Sequence, residues 1–511
     1  MIFSRHWRAA AAGYLDRRAL LMFFLGIAAG IPILLIFSTL SLWLREAGVS
    51  RATVTMFSWA ALAYSFKFIW APLIDALSVP VLHFLGKRRS WLLFSQLCII
   101  AAIITMANIN PISSSTLTHM ALAAVFLGFA SATQDIVIDA YRIEIAGDNS
   151  GMQSITSAMY VAGYRVGMLI AGAGTLFLAA KFGSNEQHYV YSAWQNSYYI
   201  IAAAMNIGVI TTLLAPEPVH QKTAPLSAAD SLKILLLFVS CLGVFIGTFL
   251  SISRWFETHF ILVHKDSIFA VLNAVLREGL SFLSAGSVTI FSAFLAIKCG
   301  LAPRTLIMQT WIEPIASFFA RYGKKALILL ALIGIYRIAD MLAGVMSNVF
   351  FQDMGFSKEQ IATAVKIFGV FMAISGGFYG GLLVQRFPLM KMMTLGAVLT
   401  AGTNLLFVLL AFSGNQLWLL YVLIAFDNFA AGMANTIFVA FLSALTDIRF
   451  TAAQYAMFSS LMTLLPKILG GYSGAVVEHI GYPNFFLLTA GSGLFVLALL
   501  YFVAKWLPIR S

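Results

Sequence analysis

The sequence predicts an all-α polytopic membrane protein, and three observations carry that prediction. The chain has 511 residues, of which 60% are hydrophobic and only 10% charged, against roughly 25% charged in an average soluble domain. Its apolar residues fall into runs of about 20, the length a helix needs to cross a bilayer. Its net charge of +12 is spread through the loops between those runs. The positive-inside rule accounts for that distribution, so nucleic acid is not an expected partner.

Taken in order, the chain opens with Arg5, Arg8, Arg17 and Arg18 ahead of a long apolar run. This reads as a first spanning helix with a cytoplasmic start and no cleavable leader. Six spans are expected near 20–43, 53–76, 90–108, 117–140, 152–180 and 192–214. The hydrophilic break APEPVHQKTAPLSAAD follows, then two spans near 232–252 and 280–298 and an amphipathic stretch over 303–322. Six more lie near 325–350, 361–385, 390–412, 416–445, 453–476 and 483–506. The expectation is 14 spans with both termini cytoplasmic. It divides into a six-helix bundle over 1–218, a linker with two additional helices over 219–322, and a second six-helix bundle over 323–511. With this topology 20 of the 32 Lys and Arg fall inside and 7 outside. The other five, Lys67, Arg165, Arg337, Lys366 and Lys467, fall within spans.

The two sets of six resemble each other. LREAGVSRATVTMFSW at 44–59 aligns with FQDMGFSKEQIATAVK at 351–366, pairing Gly48 with Gly355 and Ser50 with Ser357. Gln153 and Arg165 match Gln454 and Lys467. Generic helix-packing residues could match in this way by chance. Together with the 6 + 2 + 6 layout, the pairs point to two homologous bundles around a midplane site, the plan of a major facilitator transporter.

The most informative stretch is ALAAVFLGFASATQDIVIDAYRIE at 121–144. Asp135 and Asp139 are four residues apart and share a helix face. A carboxylate at membrane depth costs roughly 2.5–3.5 kcal/mol. Either both sit in the headgroup layer, capped by Arg142, or Asp135 serves a proton or substrate in a polar cavity. Lys67, in AYSFKFIWAP, lies about 13 Å from the end of its span at 1.5 Å per residue. Snorkelling is strained at that depth, which favours a cavity-facing role. Arg165 could hold an anionic group bidentately or neutralise Asp135.

In the second half, Arg337 and Asp340 are three apart and read as an intrahelical pair. Asp427 and Asn428 stand in LIAFDNFAAGMAN, the counterpart of the 121–144 stretch. Lys467 follows Pro466, where a broken helix exposes carbonyls. The Gly/Ala/Ser runs at 162–174 and 373–381 read as close helix packing.

The loop after span two, APLIDALSVPVLHFLGKRRSW, keeps an Asp and a basic cluster. Asp75 facing Lys87, Arg88 and Arg89, with Arg386 in a degenerate second copy, could latch one conformation through charge-assisted pairs. The basic residues could equally be ordinary topogenic charges. None of the eight histidines lies deep in a span, so a coupled proton would need a carboxylate. The three cysteines, Cys98, Cys241 and Cys299, have no metal or disulfide spacing. No HExxH, nucleophile–base pair or Walker loop appears.

Several of these segments are shared with a known family. AYSFKFIWAPLID with GKRRSWLL, SATQDIVIDAYR, GYRVGMLIAG, IYRIAD, GGFYGGLLVQR, FVAFLSALT and AAQYAMFSSL together resemble the AmpG muropeptide permeases, a major facilitator branch. FKFIWAPLID and QDIVIDA also resemble acetyl-CoA transporters. The first resemblance implies a permease of the bacterial inner membrane. It would import N-acetylglucosamine–1,6-anhydro-N-acetylmuramic acid, with or without a stem peptide, driven by the proton gradient and without a cofactor or metal. It also implies links to peptidoglycan recycling and β-lactamase induction. The residues carried over within the shared motifs are Lys67, Gln134, Asp135, Asp139, Tyr164, Arg165, Arg337, Asp340 and Asn428. The chain departs from the family pattern in having Asp427 where a glutamate is expected, and in a long insertion at 253–280. Asp135 and Asp139 are the expected proton-coupling groups, and a monomer is the expected state. The rivals are an acetyl-CoA or other anionic-metabolite transporter, and a membrane-embedded cell-wall enzyme using Asp135/Asp139 with His119.

Overall fold

The computed structural model describes residues 12–506 apart from 51–52, 55–56, 58–61, 148, 186–187, 219–226, 260–267, 301–302 and 471–472. Its described secondary structure is helical except for one isolated bridge between Asn185 and His188. The N-terminal bundle comprises α1 (Arg17–Ile36), α2 (Ser38–Glu46), α3 (Leu62–Phe66), α4 (Ala71–Ala76), α5 (Lys87–Ala107), α6 (Ser114–Ala146), α7 (Ser150–Leu169), α8 (Thr175–Lys181), α9 (Tyr191–Ala204) and α10 (Asn206–Leu214). Next come α11 (Ala228–His259), α12 (Ile268–Lys298) and α13 (Glu313–Tyr322). The C-terminal bundle comprises α14 (Ala326–Ile335), α15 (Ile338–Asp353), α16 (Gly369–Val384), α17 (Leu389–Ser413), α18 (Leu417–Leu445), α19 (Thr451–Gly470) and α20 (Ser473–Trp506).

Among the described residues, 12 helices are long and apolar enough to cross a membrane. The expected spans outside that set are those near 53–76 and 453–476. The first is interrupted, and part of it lies outside the described residues. The second, α19, is diluted by Gln454, Ser459, Ser460, Thr463, Pro466 and Lys467. Helices that turn polar groups toward other helices lose apolar character in this way.

The internal repeat is visible in the backbone. The first span breaks at Phe37, between α1 and α2, and the first span of the second bundle breaks at Tyr336–Arg337, between α14 and α15. Both segments then end alike. Gly48 (φ +83°) and Gly355 (φ +86°) follow the helix ends in the left-handed region. Val49 donates to the Leu44 carbonyl and Phe356 to the Phe351 carbonyl. This is the same six-residue helix stop, which a Cβ would strain.

Within each bundle, glycines bring backbones together as the small-residue runs predict. A Cβ on Gly163 would stand 2.0 Å from the Phe23 carbonyl oxygen, and one on Gly376 2.0 Å from that of Phe429. These contacts seat α7 on α1 and α16 on α18 through van der Waals packing, the main cohesive force between helices in lipid. The aromatic cores lie beyond them: Trp43 stacks on Trp194 at 5.7 Å, and Phe407 on Phe486 at 4.6 Å.

The chain forms two compact units. One consists of Met1–Ile74, Ser78–Gln221 and Phe318–Ser511 and contains both six-helix bundles; the other is Asp75–Leu77 with Lys222–Ser317. In the second unit α11 and α12 pack on each other, with Phe245 edge-on to Phe282 at 5.3 Å. In the first unit the bundles meet where α7 packs on α16 and α18, and where α19 packs on α6 and on the interruption between α3 and α4.

Candidate functional site

The interruption is where the site begins. Pro72 lies in the first turn of α4 and has no N–H to offer the carbonyl of Phe68, so a helix cannot run through from α3. Residues Lys67–Ile69 form a 3₁₀ turn instead. Lys67 therefore meets α6 from a broken backbone. Its Nζ lies 2.5 Å from Asp135 Oδ2 and 3.5 Å from Asp139 Oδ2. Lys67 is 5% exposed and Asp139 6%. The second oxygen of Asp135 accepts from the Tyr160 hydroxyl at 2.6 Å, and that of Asp139 stands 3.6 Å from Arg142 Nη2. Two carboxylates thus face two cations, the condition under which buried charges are tolerated.

Arg142 is not an exposed cap on the two aspartates. That guanidinium is fully buried and belongs to the junction between bundles. It donates to Ser157 at 2.7 Å and to Ser443 at 2.9 Å and lies over the Tyr455 ring. Lys467, reaching from α19, donates to Ser65 at 2.9 Å and lies near enough to Lys67 for the two charges to repel.

The second bundle carries its own polar group. Arg337, at the break between α14 and α15, makes the expected intrahelical pair: Nη2 stands 2.5 Å and Nε 3.2 Å from Asp340 Oδ2. Its Nη1 donates to Asn435 at 2.8 Å. Arg165, half-buried on α7, faces Arg337 across the junction, within range of charge repulsion. It is not the partner of Asp135, a role taken by Lys67 and Tyr160. Among the described residues, neither Arg165 nor Lys467 meets a carboxylate. Asp427 on α18 lies beside Asp340 and 3.2 Å from the Thr403 hydroxyl. The side chain of Lys366 lies outside the described residues.

The remaining expected site residues are placed as follows. Tyr164 stands beside Tyr160, ring centroids 6.1 Å apart. Gln134 is fully buried, with neither amide atom hydrogen-bonded. Asn428 bonds back to the Ile424 carbonyl at 3.1 Å and packs against Gly369.

The basic cluster in the first turn of α5 lies at the end of the bundles that also holds the start of α1. Two of its carboxylate partners, Glu144 and Glu217, are residues that sequence reasoning did not single out. Arg88 makes a forked pair with Glu144, with contacts of 2.6, 3.0 and 3.1 Å. It also donates to Thr451 at 2.7 Å, and Thr451 in turn donates to Glu144. This ties α5 and α6 to the start of α19. Glu217 accepts the backbone N–H groups of Arg88 and Arg89 at 2.8 and 3.1 Å, completing the N-terminus of α5, which begins at Lys87. Gly86 has φ +95°, and a Cβ there would lie 2.4 Å from the Glu217 carboxyl carbon. Arg89 donates to the carbonyls of Thr212 and Leu213 at the end of α10. Asp75 lies in the last turn of α4, and Arg386 lies two residues past α16. Tyr14 donates to the Phe378 carbonyl at 2.8 Å, fastening the same end from the other side.

Glu144, Tyr160, Ser443, Thr451, Asn435 and Glu217 carry no spacing that marks them out. Their partners are remote in sequence, up to 363 residues for Thr451 and Arg88. The one available signal was Tyr160, a helical turn before Tyr164.

Comparison with known proteins agrees with the fold. The family described as Acetyl-coenzyme A transporter 1 matches residues 18–214, and the Major Facilitator Superfamily matches residues 326–510. The "Putative transporter AmpG 4" of Rickettsia conorii is 29% identical over 474 residues, covering 93% of each chain. The "Anhydromuropeptide permease" of Escherichia coli K12 is 28% identical over 476 residues, covering 93% of this chain and 77% of that one. Among solved structures, the proton:xylose symporter XylE bound to 6-bromo-6-deoxy-D-glucose superposes with TM-score 0.59 at 13% identity, covering 97% of this chain and 96% of that one. FucP in the outward conformation gives 0.58 at 12%, covering 96% and 99%. With two six-helix bundles and that likeness to solved transporters, the chain has the major facilitator fold, and along nearly its whole length it is similar to the AmpG transporters.

Proposed function

We propose that this protein imports anhydro-muropeptides across the bacterial inner membrane by proton-coupled alternating access. The observation that carries the reading is the similarity to the Escherichia coli anhydromuropeptide permease across 93% of this chain. It is supported by a charged centre built between the helices. Asp135 is the coupling group. A proton arriving on Asp135 removes one of the two carboxylates that hold Lys67, leaving it on Asp139. The α3–α4 interruption is then free to shift against α6, and release of the proton restores the pair. Asp139 serves as the resting partner.

Arg165 and Lys467 are the cations available for the acid groups of a muropeptide, since Lys67 and Arg337 already hold carboxylates. Tyr164 and Asn428 line the approach from either bundle. Gln134, buried and facing no partner, serves packing in this state. The Arg88–Glu144–Thr451 and Arg142–Ser443 contacts close the end at which the chain begins. The loop charges make that end cytoplasmic. The protein works as a monomer and uses the proton gradient in place of a cofactor. It acts in peptidoglycan recycling and, by supplying muropeptide to the cytoplasm, in β-lactamase induction.

The test is uptake of labelled anhydro-muropeptide by proteoliposomes, with an inward proton gradient and without one. Accumulation should require the gradient and vanish in Asp135→Asn. Arg165→Ala and Lys467→Ala should each raise KM roughly 10- to 100-fold, the loss of a hydrogen bond to a charged group at about 1.5–3 kcal/mol. Gradient-driven accumulation that survives Asp135→Asn would remove its coupling role. The second reading, transport of acetyl-CoA, is favoured by the match of residues 18–214 to that family. It is the conclusion if the liposomes take up acetyl-CoA and no muropeptide.

A further inference from the structure

The charges of the two bundles do not balance alike. In the N-terminal bundle Asp135 and Asp139 face Lys67 and Arg142. In the C-terminal bundle Arg337 is taken by Asp340, through both Nη2 and Nε, and is not found beside Asp427. Asp427 lies ten residues into α18, about 15 Å along the helix at 1.5 Å per residue, near its middle. The charged group beside it is the like-signed carboxylate of Asp340. Among the described residues no cation reaches it. Of the elements packed on α18, α16 carries no Lys, Arg, Asp or Glu, α17 carries only Lys391, α7 carries Arg165, which faces Arg337, and α19 carries Lys467, which bonds Ser65; the side chain of Lys366, in the packed segment Ala362–Phe368, lies outside the described residues. Lys391 is 12 residues, about 18 Å along the helix, from Thr403.

The hydrogen bonding at Thr403 points the same way. Its hydroxyl oxygen is 3.1 Å from the Thr400 carbonyl and 3.2 Å from Asp427 Oδ1. A hydroxyl has one hydrogen and spare acceptor capacity. That hydrogen can serve only one of these two acceptors; when it goes to the Thr400 carbonyl, the contact with Asp427 is a hydrogen bond only if the carboxyl supplies the hydrogen. An unpaired carboxylate at this depth costs several kcal/mol, and a proton removes that cost.

We propose that Asp427 is a proton-binding site of the C-terminal bundle. It donates to Thr403 in the state seen here and, on losing its proton, competes with Asp340 for Arg337. Arg337 stands at the break between α14 and α15 and also holds Asn435 on α18. Loss of the proton therefore bears directly on how α15 sits against α18. The proton leaves to solvent, and no other bond changes. The site is separate from Asp135. Only its consequence for coupling rests on the transport reading.

The test is infrared difference spectroscopy of the purified full chain between acidic and alkaline buffer, followed by transport. The wild type should show the C=O stretch of a neutral carboxylic acid near neutral pH. That band should vanish in Asp427→Asn, move in Asp427→Glu and in Thr403→Ala, and persist in Asp135→Asn. Absence of the band in the wild type, or its survival in Asp427→Asn, overturns the proposal. Asp427→Glu retains the acid group, so a shifted band there shows that the site folds. In proteoliposomes Asp427→Asn should keep substrate exchange, while its gradient-driven accumulation falls to that of a no-gradient control. If the wild type moves no muropeptide, the transport reading fails and the infrared result still decides the protonation of Asp427.

Discussion

Replacing Ser443 by alanine isolates one of the bonds that hold the two bundles together. The Ser443 hydroxyl accepts from Arg142 at 2.9 Å with both groups buried. The guanidinium keeps Ser157 and Asp139 within the N-terminal bundle and the Tyr455 ring across the junction, so the change removes its hydrogen bond across the junction and leaves the rest. A hydrogen bond to a charged group contributes about 1.5–3 kcal/mol. At about 1.4 kcal/mol per factor of ten, its loss should move the equilibrium between closed and open ends by roughly 10- to 150-fold. A thiol introduced by Ser154→Cys reports that equilibrium. Ser154 is fully buried, its hydroxyl has no hydrogen-bond partner, and it lies at the contact with Gly381 of the other bundle. The thiol substitution therefore forfeits no bond. In a background with Cys98, Cys241 and Cys299 changed to serine, the alkylation rate of the Ser154→Cys protein should rise by that factor on adding Ser443→Ala. Equal rates with and without Ser443→Ala would show that this bond does not hold the end closed, and the magnitude assigned to it would be wrong.

Three further outcomes follow from the packing. Gly163→Ala should lower the thermal unfolding midpoint by several degrees, because its Cβ would meet the Phe23 carbonyl at 2.0 Å, overpacking worth about 1–3 kcal/mol or more. Gly402→Ala, where a Cβ meets nothing within 4 Å, is the control and should leave the midpoint unchanged or raised. Lys67→Met should destabilise the purified protein by about 3–5 kcal/mol, since it leaves Asp135 without a cation and Asp139 with Arg142 alone. Adding Asp135→Asn should recover part of that loss, and thermal unfolding of the single and double variants measures the recovery. Gly86→Ala should destabilise through two causes, the +95° φ and the clash with Glu217. Glu217→Ala should relieve only the clash, leaving about 1–2 kcal/mol of backbone strain and losing the cap on α5, so the double variant should not regain wild-type stability.

Much of the architecture was legible because its causes are local. Hydropathy runs mark spans, since a helix satisfies its own backbone in lipid, and most expected spans are helices of the required length. Gly48 and Gly355 were paired by sequence, and the same helix stop forms at both. The pair Arg337–Asp340 was legible from three-residue spacing on one helix. The interrupted second span and the polar α19 read as ordinary spans, because an apolar run does not show where a proline breaks it or which face its serines take.

By itself the sequence determined the class of the protein, the two bundles with two helices between them, and which residues could not be idle at membrane depth. Only the tertiary structure decided their partners. Lys67 could have paired with any carboxylate or with substrate; the break before Pro72 and the register of α6 gave it Asp135 and Asp139. Arg142 read as a surface cap and became a bond between bundles. Arg165 read as a partner for Asp135 and stands instead beside Arg337. The physical reason is that a charge fixes the need for a counter-charge but not its address. That address is set by how helices tens or hundreds of residues apart approach one another, and here glycine contacts such as Gly163 on Phe23 decide that approach.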